Sequence, residues 1–516
     1  MAVESRTKKA VRNVKYGMIN KLVTLFLSLA GRYIFLCILP LEYLGINGVF
    51  ADVLSMLSLA DLGFATAMAY SLYKPLAQKD EKKIIALISF YRNVYHMIAA
   101  GIAVIGLALV PFLKYIITVD HEIPHLTLYY LISLFNTVVS YLFAYKQSLI
   151  TADQKYYLIS KYSMWIAFFK IILQTVILYF SHSYTAYLFV GVITTVAYNL
   201  LVNYQANKHY PYICDRSKLD KDEKKSIIEN MKSVFIYKIS SVLMEGTDNT
   251  LISILVSTAA VGLYSNYLTI INKIMQFAWI AFNSVTAGVG NLIAEGDRDK
   301  VYAFFKVMRM CSFWIASYTC ITLFYLTDGF IDMWLGSQYV TSRVLLFAIL
   351  CNTFYGIYRQ PVGCFREAAG MYKKIRYIML ICAFINIGLS IVMGSQLGTK
   401  GVIFASIISN LLTTFWYETK ILYRDLFDTS CICYFVEVIR DLFILFATAL
   451  ICGKVLQLIV TPNPVVNWIV KGMVCTVVIN LIYLLIFCNT DEFRQIMNKL
   501  FKKRSVEVNE AKNAHC

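Results

Sequence analysis

Charge is scarce in this chain. Asp, Glu, Lys and Arg make up 15% of its 516 residues, against roughly 25% in an average soluble domain. That is too little polar surface to coat the several soluble domains a chain of this length would form. Partners for metal or redox chemistry are lacking too. Of 13 cysteines, most sit in apolar runs (Cys37, Cys311, Cys320, Cys351, Cys382, Cys452, Cys475, Cys488), where cysteine behaves as a small hydrophobe. Cys431 and Cys433 are closely spaced, but no neighbouring Cys/His pair completes a zinc site. Neither a metal nor a cofactor is expected. The first apolar run has no small-residue cleavage site, so it reads as a retained span and not a signal peptide.

What the chain does have is apolar length. It is 59% hydrophobic, with a mean hydropathy of +0.61. Runs long enough to cross a bilayer recur from Tyr16 to Cys488. They fall near 16–40, 47–72, 92–117, 124–149, 157–180, 184–206, 233–256, 261–291, 302–327, 342–365, 375–397, 401–422, 434–460 and 465–488. The expected fold is an all-α polytopic membrane protein of about 14 transmembrane helices. A formal charge of +17 raises nucleic acid as a partner, but the cations are spread through short loops. They also alternate: 37 Lys and Arg fall in the N-terminus, every second loop and the C-terminal tail. The intervening loops hold only Lys114, Arg343 and Lys400. This asymmetry predicts cytoplasmic N- and C-termini, with the bilayer and not nucleic acid as the partner. The exterior loops are too short to hold a soluble catalytic unit. The longest interior loop, 207–232, carries Lys218, Lys221, Lys224 and Lys225 among acids and reads as a solvated linker facing anionic lipid.

An internal repeat underlies the spans. A shift of 217 residues places Lys21 on Lys238, Gly45 on Gly262, Phe50 on Tyr267, Asp80 on Asp297, Lys83 on Lys300, Arg92 on Arg309 and Ala152 on Ala369. One ungapped offset serving equivalent loops pairs spans 1–6 with spans 7–12. Six is even, so the copies share one orientation, as in transporters with parallel repeats. The expected organisation is two pseudo-symmetric six-helix bundles plus two C-terminal helices. In residues, 1–206 form the first lobe, 207–232 a cytoplasmic linker, 233–424 the second lobe, 425–488 spans 13 and 14, and 489–516 a cytoplasmic tail.

A charge at the centre of a span costs about 2.5–3.5 kcal/mol, so such residues usually face a bundle interior or a wet cavity. Lys21 and Arg32 lie within about 20° of each other on one helix face. Lys238 and Glu245 are aligned on span 7 with Ser241 and Asn249, and Asp248 lies close by. On span 8, Asn266, Thr269, Lys273, Gln276 and Asn283 form one stripe. Span 5 offers Lys170 with Gln174, and span 10 has Arg359 before Gln360 and Pro361. The candidate cavity cations are Arg32, Lys238, Lys273, Lys21 and Arg359. Asp61, Glu245 and Asp248 are candidates for ion coupling or for charge pairing. Basic residues at depth (with Lys170 and Lys454) outnumber the acids Asp52, Asp61, Glu245 and Asp248, which suits an anionic ligand. The tyrosines at span ends read mostly as an interfacial belt.

Several segments carry a family resemblance. They are Gly45-Ile46-Asn47-Gly48-Val49-Phe50, Leu57-Ser58-Leu59-Ala60-Asp61-Leu62-Gly63 and Leu72-Tyr73-Lys74-Pro75-Leu76-Ala77. Asp80, Phe90-Tyr91-Arg92 and Val261-Gly262-Leu263-Tyr264-Ser265-Asn266-Tyr267 continue the pattern. With these the chain resembles the O-antigen and capsule repeat-unit flippases of the multidrug/oligosaccharidyl-lipid/polysaccharide flippase superfamily. Where relatives often have Glu, this chain has Asp61. The resemblance implies a two-lobed, non-enzymatic transporter in the bacterial plasma membrane. It would carry undecaprenyl-pyrophosphate-linked oligosaccharide across by alternating access, with proton or sodium as a coupling ion. By resemblance, the cavity Arg/Lys role carries onto Arg32, Lys238 and Lys273 as matches of position type. The alternatives are a peptidoglycan-precursor (lipid II) flippase, a multidrug/cation antiporter of the same superfamily and, in a different class, a membrane polymerase or ligase.

Overall fold

The structure, a computed structural model, describes residues 6–58, 64–118, 123–153, 155–225, 227–228, 239–240, 242–244 and 246–498. Among them there is helix and turn but no strand. In chain order the helices of eight residues or more are α1 (Arg6–Ile38), α2 (Leu41–Leu57), α3 (Phe64–Gln78), α4 (Glu81–Ala108), α5 (Leu126–Tyr141), α6 (Ala144–Ala152), α7 (Tyr156–Ser181) and α8 (Tyr184–His209). There follow α9 (Asp248–Leu255), α10 (Thr258–Ala294), α11 (Arg298–Leu335), α12 (Arg343–Tyr358), α13 (Gln360–Ala368), α14 (Tyr372–Leu397), α15 (Thr399–Leu412), α16 (Thr414–Leu422), α17 (Ile432–Gln457) and α18 (Pro464–Phe487). The protein is an all-α polytopic membrane protein. Among the described residues, six helices are apolar and long enough to cross a bilayer unaided, and two further pairs qualify across bends of 42°. One of these bends precedes Pro111, which has no N–H to continue the ladder. Other spans fall short for visible reasons. Two are broken, at Arg359 and at Thr413, and α17 carries Glu437, Arg440, Asp441 and Lys454.

The repeat persists at the level of helix starts. α2 and α10 begin at Leu41 and Thr258, α4 and α11 at Glu81 and Arg298, α5 and α12 at Leu126 and Arg343. Each pair is separated by the offset of the sequence repeat. The caps agree: Asp80 accepts from the Lys83 amide at 3.0 Å and Asp297 from the Lys300 amide at 3.1 Å. A carboxylate there satisfies a first-turn N–H and favours the helix dipole. The copies differ in that α2 and α3 correspond by the offset to a single α10, and the unbroken α8 to α15 and α16.

By compactness the chain forms two units, Met1–Ser265 with Met379–Val402, and Asn266–Ile378 with Ile403–Cys516. The dividing points lie inside α10, α14 and α15. In the first unit, Met68, Leu72, Leu87, Tyr91, Tyr145, Leu149 and Val202 build a core. That core refines the expectation for 207–232, whose lysines Lys218, Lys221, Lys224 and Lys225 are exposed as a solvated segment requires, while its apolar residues are not. Tyr210, Ile213 and Ile227 are buried in it, Lys83 pairs with Glu223, and Tyr210 donates to Asp153 at 2.6 Å. Burial, then the bond to Asp153, raises the Tyr210 phenol well above its usual range, so it stays a donor. The described part of the segment is docked because its apolar residues, hidden among lysines in the sequence, find a core to enter.

In the second unit α11 is the central post, and the two additional helices grip it. Arg309, buried, pairs with Asp441 at 2.7 Å and Glu437 at 2.8 Å, both on α17. Asp441 also accepts from Tyr358 at 2.9 Å. From α18, Trp468 donates to the Leu326 carbonyl at 2.8 Å, and Asn480 accepts from Trp314 at 2.9 Å. At membrane depth such polar contacts substitute for the missing hydrophobic drive between helices.

Candidate functional site

α1 runs without a break through both Lys21 and Arg32, so the shared face inferred from spacing exists. Arg32 is partly buried and donates from Nη1 to Ser265 Oγ at 2.9 Å. Ser265 in turn donates to the Gly262 carbonyl at 2.9 Å. Ser28, between the two cations in sequence, spends its hydroxyl on the Leu25 carbonyl. Gln174 likewise donates to the Tyr187 carbonyl at 3.2 Å, which makes it a structural group of α7.

Ser265 lies where the repeat copies meet within the first unit. A Cβ at Gly45 would run into the Thr258 carbonyl, and one at Gly262 would come within 2.8 Å of the Leu41 carbonyl. Leu41 and Thr258 are themselves repeat partners, so the two contacts are images of each other. Arg32 with Ser265 belongs to a second such pair. Its image is Asn249 beside Gly48, where a Cβ would lie 3.8 Å from Asn249 Nδ2. Glycine is required at 45 and 262 by close approach, not by backbone angle. Asn249 is also held by Asp52, which accepts from its backbone amide at 2.9 Å and from Nδ2 at 3.0 Å. The Asp52 carboxylate therefore caps the first turn of α9 from α2. Asp248 opens α9, and buried Tyr264 has both Asp248 and Asp52 as electrostatic neighbours. Asp61, Lys238 and Glu245 lie outside the described residues.

In the second unit, α10 is continuous through Thr269, Lys273 and Gln276, so the predicted stripe is real. Asn266 is fully buried, whereas those three are half-buried. The Asn283 side chain is outside the described set. Arg359 has a neighbour that spacing did not reveal. It sits between α12 and α13 with Nη2 at 3.2 Å from Glu418 Oε2, and its guanidinium lies 5.4 Å from the Tyr355 ring centre. Glu418 is also bound by buried Arg366 at 2.9 Å.

Three readings from the sequence change here. The excess of cations at depth omitted Glu418 and Asp441, both buried, and Asp328, which accepts from Tyr267 at 2.9 Å. In the second unit these acids offset part of the deep positive charge. Lys146, Arg309 and Arg366, counted as loop cations, are buried; Lys146 binds Asn203 and, at 2.7 Å, Asn207. An Arg440-Asp441 pair inside an apolar run was the available signal for the α17 acid. Finally, some span-end tyrosines face inward. Tyr129 and Tyr184 are buried, with ring centres 4.7 Å apart, and Tyr43 lies 4.8 Å from Tyr184. Phe35 and Tyr187 adjoin at 5.0 Å. These rings belong to α1, α2, α5 and α8, whose ends converge, so they pack on one another instead of forming a belt.

Residues 47–344 match a family model described as "Polysaccharide biosynthesis protein". No curated protein matches the sequence. A solved structure described as "Lipid II flippase MurJ, inward closed conformation" is similar with a TM-score of 0.67 at 12% identity, covering 93% of this chain and 99% of that one. An inward-facing multidrug resistance MATE family transporter of the MOP superfamily has a TM-score of 0.56 at 12% identity, covering 80% of this chain and 98% of that one. A Vibrio cholerae MATE transporter variant reaches 0.52 at 12% identity, over 82% and 100%. At this identity each likeness establishes the shared fold.

Proposed function

The chain belongs to the polysaccharide biosynthesis protein family, and from that premise we propose that it is a flippase for undecaprenyl-pyrophosphate-linked oligosaccharide repeat units. It moves them from the cytoplasmic to the outer leaflet of the bacterial plasma membrane, for O-antigen, capsule or related lipopolysaccharide assembly. The family match over residues 47–344 carries this reading, and a partly buried cation within α1, Arg32 bonded to Ser265, supports it. No bond is broken, so the protein is not an enzyme. Its task is to lower the barrier for a charged, sugar-bearing headgroup in hydrocarbon, which is large for an uncompensated ion. Arg32 and Lys273 compensate the pyrophosphate, with Lys21, Lys238 and Arg359 as further cations, while the lipid tail stays in the bilayer. Access alternates as the equilibrium shifts between states. Asp61, Glu245 and Asp248 are the candidates to bind a coupling proton or sodium.

Deleting the gene tests the cargo. Undecaprenyl-linked repeat units should accumulate at the inner leaflet, read by mass spectrometry, and one surface polysaccharide should disappear. Viability should be normal, or restored by deleting earlier glycosyltransferases, because trapped intermediates sequester the carrier lipid. Lysis that such suppressors do not relieve points instead to a peptidoglycan precursor, the second reading, which the 93% coverage of the flippase fold favours. Unchanged lipid-linked pools with hypersensitivity to cationic dyes identify a drug antiporter.

The charge alternation supports a topology with both termini in the cytoplasm. Single cysteines introduced in 74–90 or 207–225, in a cysteine-free background, should resist impermeant reagents in intact cells and react after permeabilisation. Labelling of either segment in intact cells overturns this topology.

A further inference from the structure

Glu418 and Arg366, both buried, and the partly buried Arg359 form a charged cluster where two spans of the second repeat copy are broken; Arg366 also reaches Glu367 at 3.3 Å. One break lies at Arg359, between α12 and α13; the other is at Thr413, between α15 and α16. Tyr355 of α12 and Thr414 of α16 join across these breaks, oxygen to oxygen, at 3.1 Å. Glu418 and Arg366 are 3% and 5% exposed at their side chains, and Arg359 is 24% exposed. Glu418 is thus gripped tightly by one arginine, at 2.9 Å, and more loosely by another, at 3.2 Å, that solvent can reach.

The first repeat copy serves as an internal control. At the same offset, Arg359, Arg366 and Glu418 correspond to Leu142, Leu149 and Leu201. Leu149 is fully buried, and α8 is unbroken at the position that corresponds by the offset to the break between α15 and α16. That copy joins the same two helices through Lys146 to the amides of Asn203 and Asn207. The fold therefore fills these three positions with leucine once, and packing does not demand charge there. Replacing buried ionic triads with apolar groups is often neutral or stabilising, so a triad kept in one copy alone calls for another reason. Broken helices at membrane depth are where transporters commonly hold charged ligands.

We propose that Arg359, Glu418 and Arg366 form an anion-exchange site whose ligand is the pyrophosphate headgroup of the lipid-linked cargo. This rests on the function proposed above. A guanidinium binds carboxylate and phosphate oxygens in the same fork geometry. In the empty protein Glu418 supplies that anion to Arg359. When pyrophosphate arrives it replaces Glu418 on Arg359, and Arg366 keeps the displaced carboxylate compensated. In the proposed topology α13 leads to the cytoplasmic surface, and its nine residues set Arg359 about 14 Å along the helix from the far end. The site is thus placed for a headgroup entering from the inner leaflet.

The test uses full-length protein in lipid nanodiscs, with undecaprenyl pyrophosphate and inorganic pyrophosphate as separate probes. Glu418→Gln removes the internal competitor and should tighten binding of the lipid about tenfold, whereas Arg359→Gln should weaken it about tenfold. The triple replacement Arg359→Leu, Arg366→Leu, Glu418→Leu copies the first repeat. It should keep its thermal stability yet bind as weakly as Arg359→Gln, which separates binding from folding. Wild-type lipid binding that neither Glu418→Gln nor the triple replacement alters overturns the exchange site and leaves the flippase reading standing. Substitutions that affect inorganic pyrophosphate but not the lipid overturn the headgroup assignment in favour of a free anion. Failure of the wild type to bind undecaprenyl pyrophosphate overturns both.

Discussion

Cells that depend on the Arg32→Ala, Lys273→Ala double variant should export no more surface polysaccharide than cells lacking the gene, while membrane levels of the protein stay normal. A doubly charged headgroup crossing hydrocarbon depends on compensating charge, and each 1.4 kcal/mol of lost compensation slows transport about tenfold. Removing two cations should therefore take flux below the rate that supports assembly. Arg32 binds Ser265 through one guanidinium nitrogen, and Lys can retain the charge but not the planar fork. Arg32→Lys should accordingly recover part of the export. Normal export by the double variant, read by immunoblot of surface polysaccharide, excludes the charge-compensating role.

A second large effect is expected where α17 meets α11. Asp441→Leu should destabilise the protein by about 3–5 kcal/mol, because a buried arginine loses its main partner. Asp441 is 1% exposed and Arg309 5% exposed, so water cannot replace the lost contact. Glu437 still reaches Arg309 at 2.8 Å but is itself 31% exposed at the side chain, which limits the rescue. Adding Arg309→Leu should recover much of the loss, since an apolar pair leaves no buried charge. Thermal unfolding in detergent measures both variants. A single substitution as stable as the wild type, or a double variant no better than the single, contradicts this account.

Much of the architecture was legible in the residues alone. The spans, the alternation of Lys and Arg, and the repeat offset follow from rules acting locally along the chain. A bilayer demands internal hydrogen bonding and apolar length in each segment separately, so each segment announces itself. The repeat extended further than its matching residues suggested, to the helix starts at Leu41 and Thr258 and the caps at Asp80 and Asp297. Lys21 and Arg32 on one face, and the Lys273 stripe, also needed only helical periodicity.

Pairing was decided by tertiary structure. Nothing local links Arg32 to Ser265, Arg309 to Asp441, or Arg359 to Glu418, whose separations are 233, 132 and 59 residues. The same limit hid the docking of Tyr210 and Ile213 and the inward turn of Tyr129 and Tyr184. A sequence shows that a charge lies deep, because depth is set by the run of apolar neighbours around it. Whether that charge is compensated depends on which distant group folding brings within about 4 Å, and that distance is set by the packing of whole helices.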